Sequence, residues 1–161
     1  MVRFHLMALP VPLELVVEEL ETLQAGMLAY VHRKTGELVT LTEEMQDLAD
    51  EDDDTLSDVD TWGEVLPPEK LREILDSADW VALPDPFKIH EWEIMRTFAD
   101  TIEDPRRSEE LQVALRGQGA FRRFKDILTR YQLLDGWYDY KRRAIEKIAR
   151  EALEEIGIPY A

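Results

Sequence analysis

The chain has no cysteine among its 161 residues, which excludes disulfide bonds, thiolate nucleophiles and thiolate metal ligands. It also lacks a long hydrophobic run, because the apolar stretch after Met1 is interrupted by Pro10 and Pro12 and then by acidic residues. That pattern does not fit a secretory signal, and no segment approaches the ~20 apolar residues of a membrane helix. These absences predict a cytoplasmic protein without a membrane partner, and the length predicts a single domain over residues 1–161.

Positive charge is scarce and unevenly distributed. The formal net charge is −16, and residues 1–104 hold 7 Lys and Arg against 26 Asp and Glu. Residues 105–161 hold 12 and 9, so the cations are concentrated in the last third of the chain. A chain this acidic repels nucleic acid at long range, because binding to phosphates depends on Lys and Arg. Since charges are screened beyond ~8 Å at physiological salt, a local basic patch can still bind an anion.

Strand and helix patterns both occur. β-Formers over 29–33 and 37–41 flank a Gly-containing turn and predict a hairpin, and Trp80-Val81-Ala82-Leu83 predicts a third strand. The expected fold class is α+β: a small antiparallel sheet with an N-terminal hairpin, covered by helices and ending in a C-terminal helical hairpin. Apolar spacing and helix-start signals predict helices over 12–23, 67–76, 88–103, 105–115, 119–131 and 134–156.

An acidic run and a set of aromatic residues predict, respectively, a loop and part of the hydrophobic core. Residues 50–60 form an acidic run, which predicts a mobile loop because like charges resist compaction. The run lacks the glycine and the closing glutamate of a calcium loop, and the chain contains neither a complete zinc-protease motif nor Gly-x-Ser-x-Gly. We therefore expect no metal, no cofactor and no catalytic residue. The aromatic residues expected to be mostly buried are Trp92, Phe121, Phe124 and Trp137.

The segment 115–126, with the sequence LRGQGAFRRFKD, places four cations together in this acidic protein. Gly117-Gln118-Gly119 before a helix can present free backbone N–H groups to a phosphate, with the arginines adding charge. The same residues also fit a simple break between two helices, in which Arg122 and Arg130 both pair with Asp126. The segment matches neither the dinucleotide fingerprint nor the P-loop.

Lys141 lies on the apolar stripe of the last predicted helix, near Trp137. A lysine at such a position either holds its ammonium against aromatic rings for an anionic ligand, or packs its stem and pairs with an acid of the N-terminal half. The full set of candidate binding residues is Arg116, Gly119, Arg122, Arg123, Lys125, Trp137 and Lys141.

The hairpin, the Trp80-Val81-Ala82-Leu83-Pro84 strand, Gly119-Ala120-Phe121-Arg122-Arg123-Phe124-Lys125-Asp126 and the following Trp137-Tyr138 together resemble an uncharacterised bacterial protein family. The resemblance covers roughly residues 27–158 and is strongest from 115 to 141. It implies a bacterial cytosolic α+β protein, and it carries no catalytic or cofactor residues across.

These observations favour a non-enzymatic interaction or regulatory module that uses a cationic and aromatic surface on an acidic body. The expected partner is an acidic protein segment or a phosphate-bearing ligand. Two alternatives use the same residues: a nucleic-acid-binding protein, which the net charge makes less favourable, and an enzyme acting on a phosphorylated small molecule.

Overall fold

The computed structural model describes residues 3–5, 9–49, 67–85 and 89–161. Strands β1 (Arg3–His5), β2 (Leu28–His32), β3 (Leu38–Leu41) and β4 (Trp80–Ala82) form one antiparallel sheet in the order β1-β3-β2-β4. The helices of these ranges are α1 (Leu13–Thr22), α2 (Glu43–Ala49), α3 (Pro68–Asp76), α4 (Glu91–Asp100), α5 (Pro105–Ala114), α6 (Ala120–Arg130) and α7 (Leu134–Ile156). None of them is both long and apolar enough to cross a membrane.

The α+β class is confirmed: β2 and β3 are the predicted hairpin, β4 is the third strand, and α6 and α7 are the C-terminal helical hairpin. Two elements were not predicted. Strand β1 pairs with β3 in a register that places Arg3 opposite Thr40, and only this distant partner makes three residues a strand. Helix α2 follows Thr42, whose hydroxyl accepts a hydrogen bond from the Met45 N–H at 3.3 Å. The acidic run 50–60 lies outside the described residues.

The sheet separates two hydrophobic cores, and alternation along β3 assigns its side chains to them. Leu38 packs with the larger core, whereas Val39 and Leu41 pack with the smaller one. All four residues of β3 are therefore buried. The smaller core adds residues of α2, α3 and β4, namely Met45, Leu71, Ile74 and Trp80.

Three aromatic rings hold the helices of the larger core together. Trp137 of α7 lies 5.5 Å from Phe98 of α4 and 5.5 Å from Phe124 of α6, measured between ring centroids. Both contacts are edge-to-face, which is a favoured geometry for aromatic pairs. Phe124 and Trp137 are fully buried, as predicted.

The burial prediction is wrong for the other two aromatic residues. Trp92 is 41% exposed and Phe121 is 44% exposed. On α6 the buried residues are Ala120, Phe124 and Leu128, at intervals of four. Phe121 follows Ala120 by one position, which turns it about 100° away from the core on a helix of 3.6 residues per turn.

Truncation of the two phenylalanines of α6 tests this assignment. Phe124→Ala leaves a cavity among packed rings, so we expect a loss of ~3–5 kcal/mol in the free energy of unfolding. Phe121→Ala removes a half-exposed ring from the same helix, and we expect a loss below about 1 kcal/mol. Urea denaturation of both variants measures the difference. Equal losses would contradict the orientation of α6.

Candidate functional site

The loop between α5 and α6 positions the cations of the segment 115–126. Gly117 and Gly119 have φ of 75° and 72°, a left-handed conformation that glycine adopts without steric cost. Gly119 is the N-cap of α6, and no side chain caps the first N–H groups of that helix. A Cβ at Gly119 would lie 3.2 Å from Nη1 of Arg123, so the glycine also leaves room for that arginine.

Arg123 closes the C-terminal end of α5. Its Nε donates to the carbonyl of Ala114 at 3.3 Å, and its terminal nitrogens donate to the carbonyls of Arg116 and Gln118. A guanidinium at this position satisfies carbonyl groups that have no partner within the helix and complements the negative end of the helix dipole. Arg123, a predicted binding residue, thus serves the loop itself.

Arg116, Arg122 and Lys125 are exposed, and within the described ranges their side chains form no ion pair or hydrogen bond. The pairing expected of Arg122 and Arg130 with Asp126 is not found in the described part of the chain. Arg130 instead reaches Glu110 of α5, with 3.9 Å between Nη2 and Oε2. The charges of Arg116, Arg122 and Lys125 are therefore not neutralised by an ion pair with another described residue.

Two aromatic side chains lie beside these cations. Trp92 of α4 and Phe121 of α6 line a cleft of about 610 Å³ together with Gly119 and Arg122. The indole is fixed in place, because its Nε1 donates to the carbonyl of Leu115 at 3.0 Å. Sequence reasoning missed both residues as site residues because helical spacing placed them in the core.

The remaining two predicted residues lie elsewhere. Trp137 is fully buried, which corrects its assignment to a binding surface. Lys141 is half-buried and pairs with Glu91 of α4, with 3.0 Å between Nζ and Oε1. This is the second of the two arrangements considered for Lys141, an ammonium paired with an acid, and that acid lies within the acidic residues 1–104.

The structure therefore brings together Gly119, Arg122, Trp92 and Phe121, with Arg116 and Lys125 nearby in the chain on the loop and on α6. The cleft residues that the structure describes include no acid, histidine, serine or cysteine. They supply flat apolar surface and positive charge. Across the described residues, no group of three His, Cys, Asp or Glu is placed to hold a metal ion.

Comparisons of the chain with protein-family models, with curated proteins and with solved structures find no match. The resemblance to an uncharacterised bacterial family stays a prediction, and the fold class stands on the structure alone.

Separate replacement of Arg122 and Arg123 tests which of the two arginines stabilises the fold. Arg123→Ala leaves one carbonyl of α5 and two carbonyls of the following loop without their charged donor, so we expect the free energy of unfolding to fall by about 1–2 kcal/mol. Arg122→Ala removes a side chain without such contacts and should change it by less than about 0.5 kcal/mol. Urea denaturation measures both variants. Similar losses would show that Arg123 does not close α5.

The ends of α5 and α6 that lie away from the loop are joined by Tyr131. Its hydroxyl donates to Oε2 of Glu110 at 2.6 Å, and its ring lies under the guanidinium carbons of Arg107 and Arg130 at 4.5 and 5.2 Å from the centroid. The hydrogen bond to Glu110 raises the pKa of Tyr131 above its ordinary value of 10.0. The phenol is thus stabilised in its protonated form.

The raised pKa of Tyr131 predicts how the stability of the protein changes at alkaline pH. The folded protein holds the Tyr131 proton more tightly than the unfolded chain, so the stabilisation is complete below about pH 10 and is lost as the pH rises through the folded pKa. We expect the stability advantage of the wild type over Tyr131→Phe to shrink between about pH 9 and 12. Free energies of unfolding measured across this range test it. An advantage that does not change with pH would contradict the expectation.

Proposed function

We propose that the protein is a non-enzymatic interaction module that binds an acidic protein segment at its cationic–aromatic surface. This surface consists of Trp92, Phe121, Arg116, Arg122 and Lys125. The observation that carries the proposal is the exposed pair Trp92 and Phe121 beside Arg122 in one cleft. Aromatic and arginine side chains dominate the binding energy of many protein interfaces.

The charges favour an acidic partner. Arg116, Arg122 and Lys125 make no ion pair within the described ranges, although the chain carries a net charge of −16. Carboxylates of a partner would supply the missing counter-charges, and Arg122 offers a planar guanidinium suited to bidentate contact. An apolar side chain of the same segment would cover the rings of Trp92 and Phe121.

The net charge also favours a protein segment over nucleic acid. A long polyanion extends past the cationic–aromatic surface and meets the acidic remainder of the protein, whereas a short acidic segment contacts the cations alone. The fixed indole of Trp92 supports binding as well, because a rigid aromatic side chain loses little conformational freedom when a partner covers it.

The test is binding of a fluorescent acidic peptide of about 12 residues with a central leucine, measured by anisotropy near physiological ionic strength. We expect Arg116→Gln/Arg122→Gln/Lys125→Gln and, separately, Phe121→Ser to weaken binding by at least about tenfold. Added salt should weaken binding to the wild type, since the cations are exposed.

The matched control removes three exposed cations of α7 in the variant Arg143→Gln/Lys147→Gln/Arg150→Gln, with the same change in net charge. It should bind the peptide as the wild type does. Equal weakening in both triple variants, or no binding to the wild type, would rule out the proposed surface. The alternative outcome is an oligonucleotide that binds where the peptide does not, with a steep salt dependence that the first triple variant loses. Such a result would make nucleic acid the partner of this surface.

A further inference from the structure

The carbonyl groups at the end of α5 are shared between two side chains that come from different helices. Three consecutive carbonyls, those of Ala114, Leu115 and Arg116, accept hydrogen bonds from outside α5. The guanidinium of Arg123 on α6 donates to the first and the third of them. The indole Nε1 of Trp92 on α4 donates to the second, at 3.0 Å. Neighbouring carbonyls thus alternate between the two donors.

The two donors lie on different sides of this segment. Arg123 and Ala114 line the groove between α5 and α6, whereas Trp92 and Leu115 line the cleft of the cationic–aromatic surface. Arg123 does not line that cleft. An effect of Arg123 on binding in the cleft therefore has to pass through the chain segment between them.

The geometry of the backbone supplies such a connection at Leu115. Each peptide unit is planar, and each residue has only two soft dihedral angles. The hydrogen bonds of Arg123 hold the peptide units before and after the one that carries the Leu115 carbonyl. That middle unit then has little freedom to rotate, so its carbonyl stays directed at the Trp92 indole.

The shape of the guanidinium is as important as its charge. Three different nitrogens of Arg123 donate to three carbonyls, because Gln118 accepts in addition to Ala114 and Arg116. A lysine carries the same charge on a single nitrogen and cannot reach all three carbonyls in place. Substitution by lysine therefore separates the planar donor arrangement from the charge.

We propose that Arg123 is a positioning residue of the cationic–aromatic surface. By holding the two flanking carbonyls it directs the Leu115 carbonyl at the Trp92 indole, and the fixed ring then loses less conformational freedom when the acidic segment covers it. The proposal rests on the function proposed above. It adds a residue outside the cleft to those that determine the affinity of the surface.

The first test needs no partner. NMR measures the exchange of the Trp92 indole N–H with water, and the loss of one resonance in Trp92→Phe identifies it among the four tryptophans. We expect exchange at least about tenfold faster in Arg123→Ala and in Arg123→Lys than in the wild type, because the hydrogen bond to Leu115 opens more often. The control Arg130→Ala removes another arginine of α6, which pairs with Glu110, and should leave this exchange unchanged.

The second test uses the fluorescent acidic peptide, at a temperature where circular dichroism shows every variant fully folded. Arg123→Ala and Arg123→Lys should each weaken binding about three- to tenfold, since the ring has to be ordered on binding. Trp92→Phe should weaken binding as well. In that background Arg123→Ala should add less than about twofold, because the route through the indole is already removed. Arg130→Ala should bind like the wild type.

Several results would overturn the proposal. Unchanged indole exchange in Arg123→Ala would do so whether or not the peptide binds. Wild-type exchange or full peptide affinity in Arg123→Lys would do so because charge alone would then suffice. Additive losses in the double variant would exclude the route through Trp92.

A wild type that does not bind the peptide has a different meaning. It would overturn the proposed function, and with it the effect of Arg123 on affinity. The indole exchange would still decide whether Arg123 holds Trp92 in place, so the two failures are distinguishable.

Discussion

The packing of Trp137 against Phe98 and Phe124 is the contact on which the helical part of the protein depends. It joins α4 to the helical hairpin of α6 and α7, because the centroid of the Trp137 ring lies 5.5 Å from each of the other two ring centroids. Phe124 fixes the orientation of α6 about its own axis. In that orientation Phe121 of α6 lies beside Trp92 of α4. The exposed aromatic pair is thus a consequence of the buried one.

Much of the fold was predictable because it depends on local patterns. Apolar spacing located most helices, and β-formers around a turn located the hairpin, since both signals lie within a few residues of each other. Strand β1 was missed because three residues carry no period, and its partner Thr40 is far along the chain. Helix α2 was missed although Thr42 followed by two glutamates is a helix-start signal.

The candidate site was predictable in composition but not in arrangement. The cation-rich segment pointed to the loop between α5 and α6, yet sequence does not distinguish Arg122, whose side chain makes no ion pair or hydrogen bond among the described residues, from Arg123, which donates to carbonyls at the end of α5 and in the following loop. That difference depends on the turn at Gly119, which brings Arg123 back to the end of α5. Trp92 and Phe121 were placed in the core for a similar reason, because a helical stripe does not reveal where a buried face ends. Trp137 was predicted both as core and as site, and its burial decides for the core.

The division of the protein by its sheet has a consequence for motion. Among the described residues, the smaller core consists of six buried side chains between the sheet and α2 and α3, and none of them touches the ring cluster of α4, α6 and α7. Cooperative units with few buried contacts open at lower free energy than the rest of a protein. We therefore expect the layer of α2 and α3 to exchange its amide hydrogens before the ring cluster does. The sheet, as the boundary between the two cores, would then limit how far such a local opening spreads.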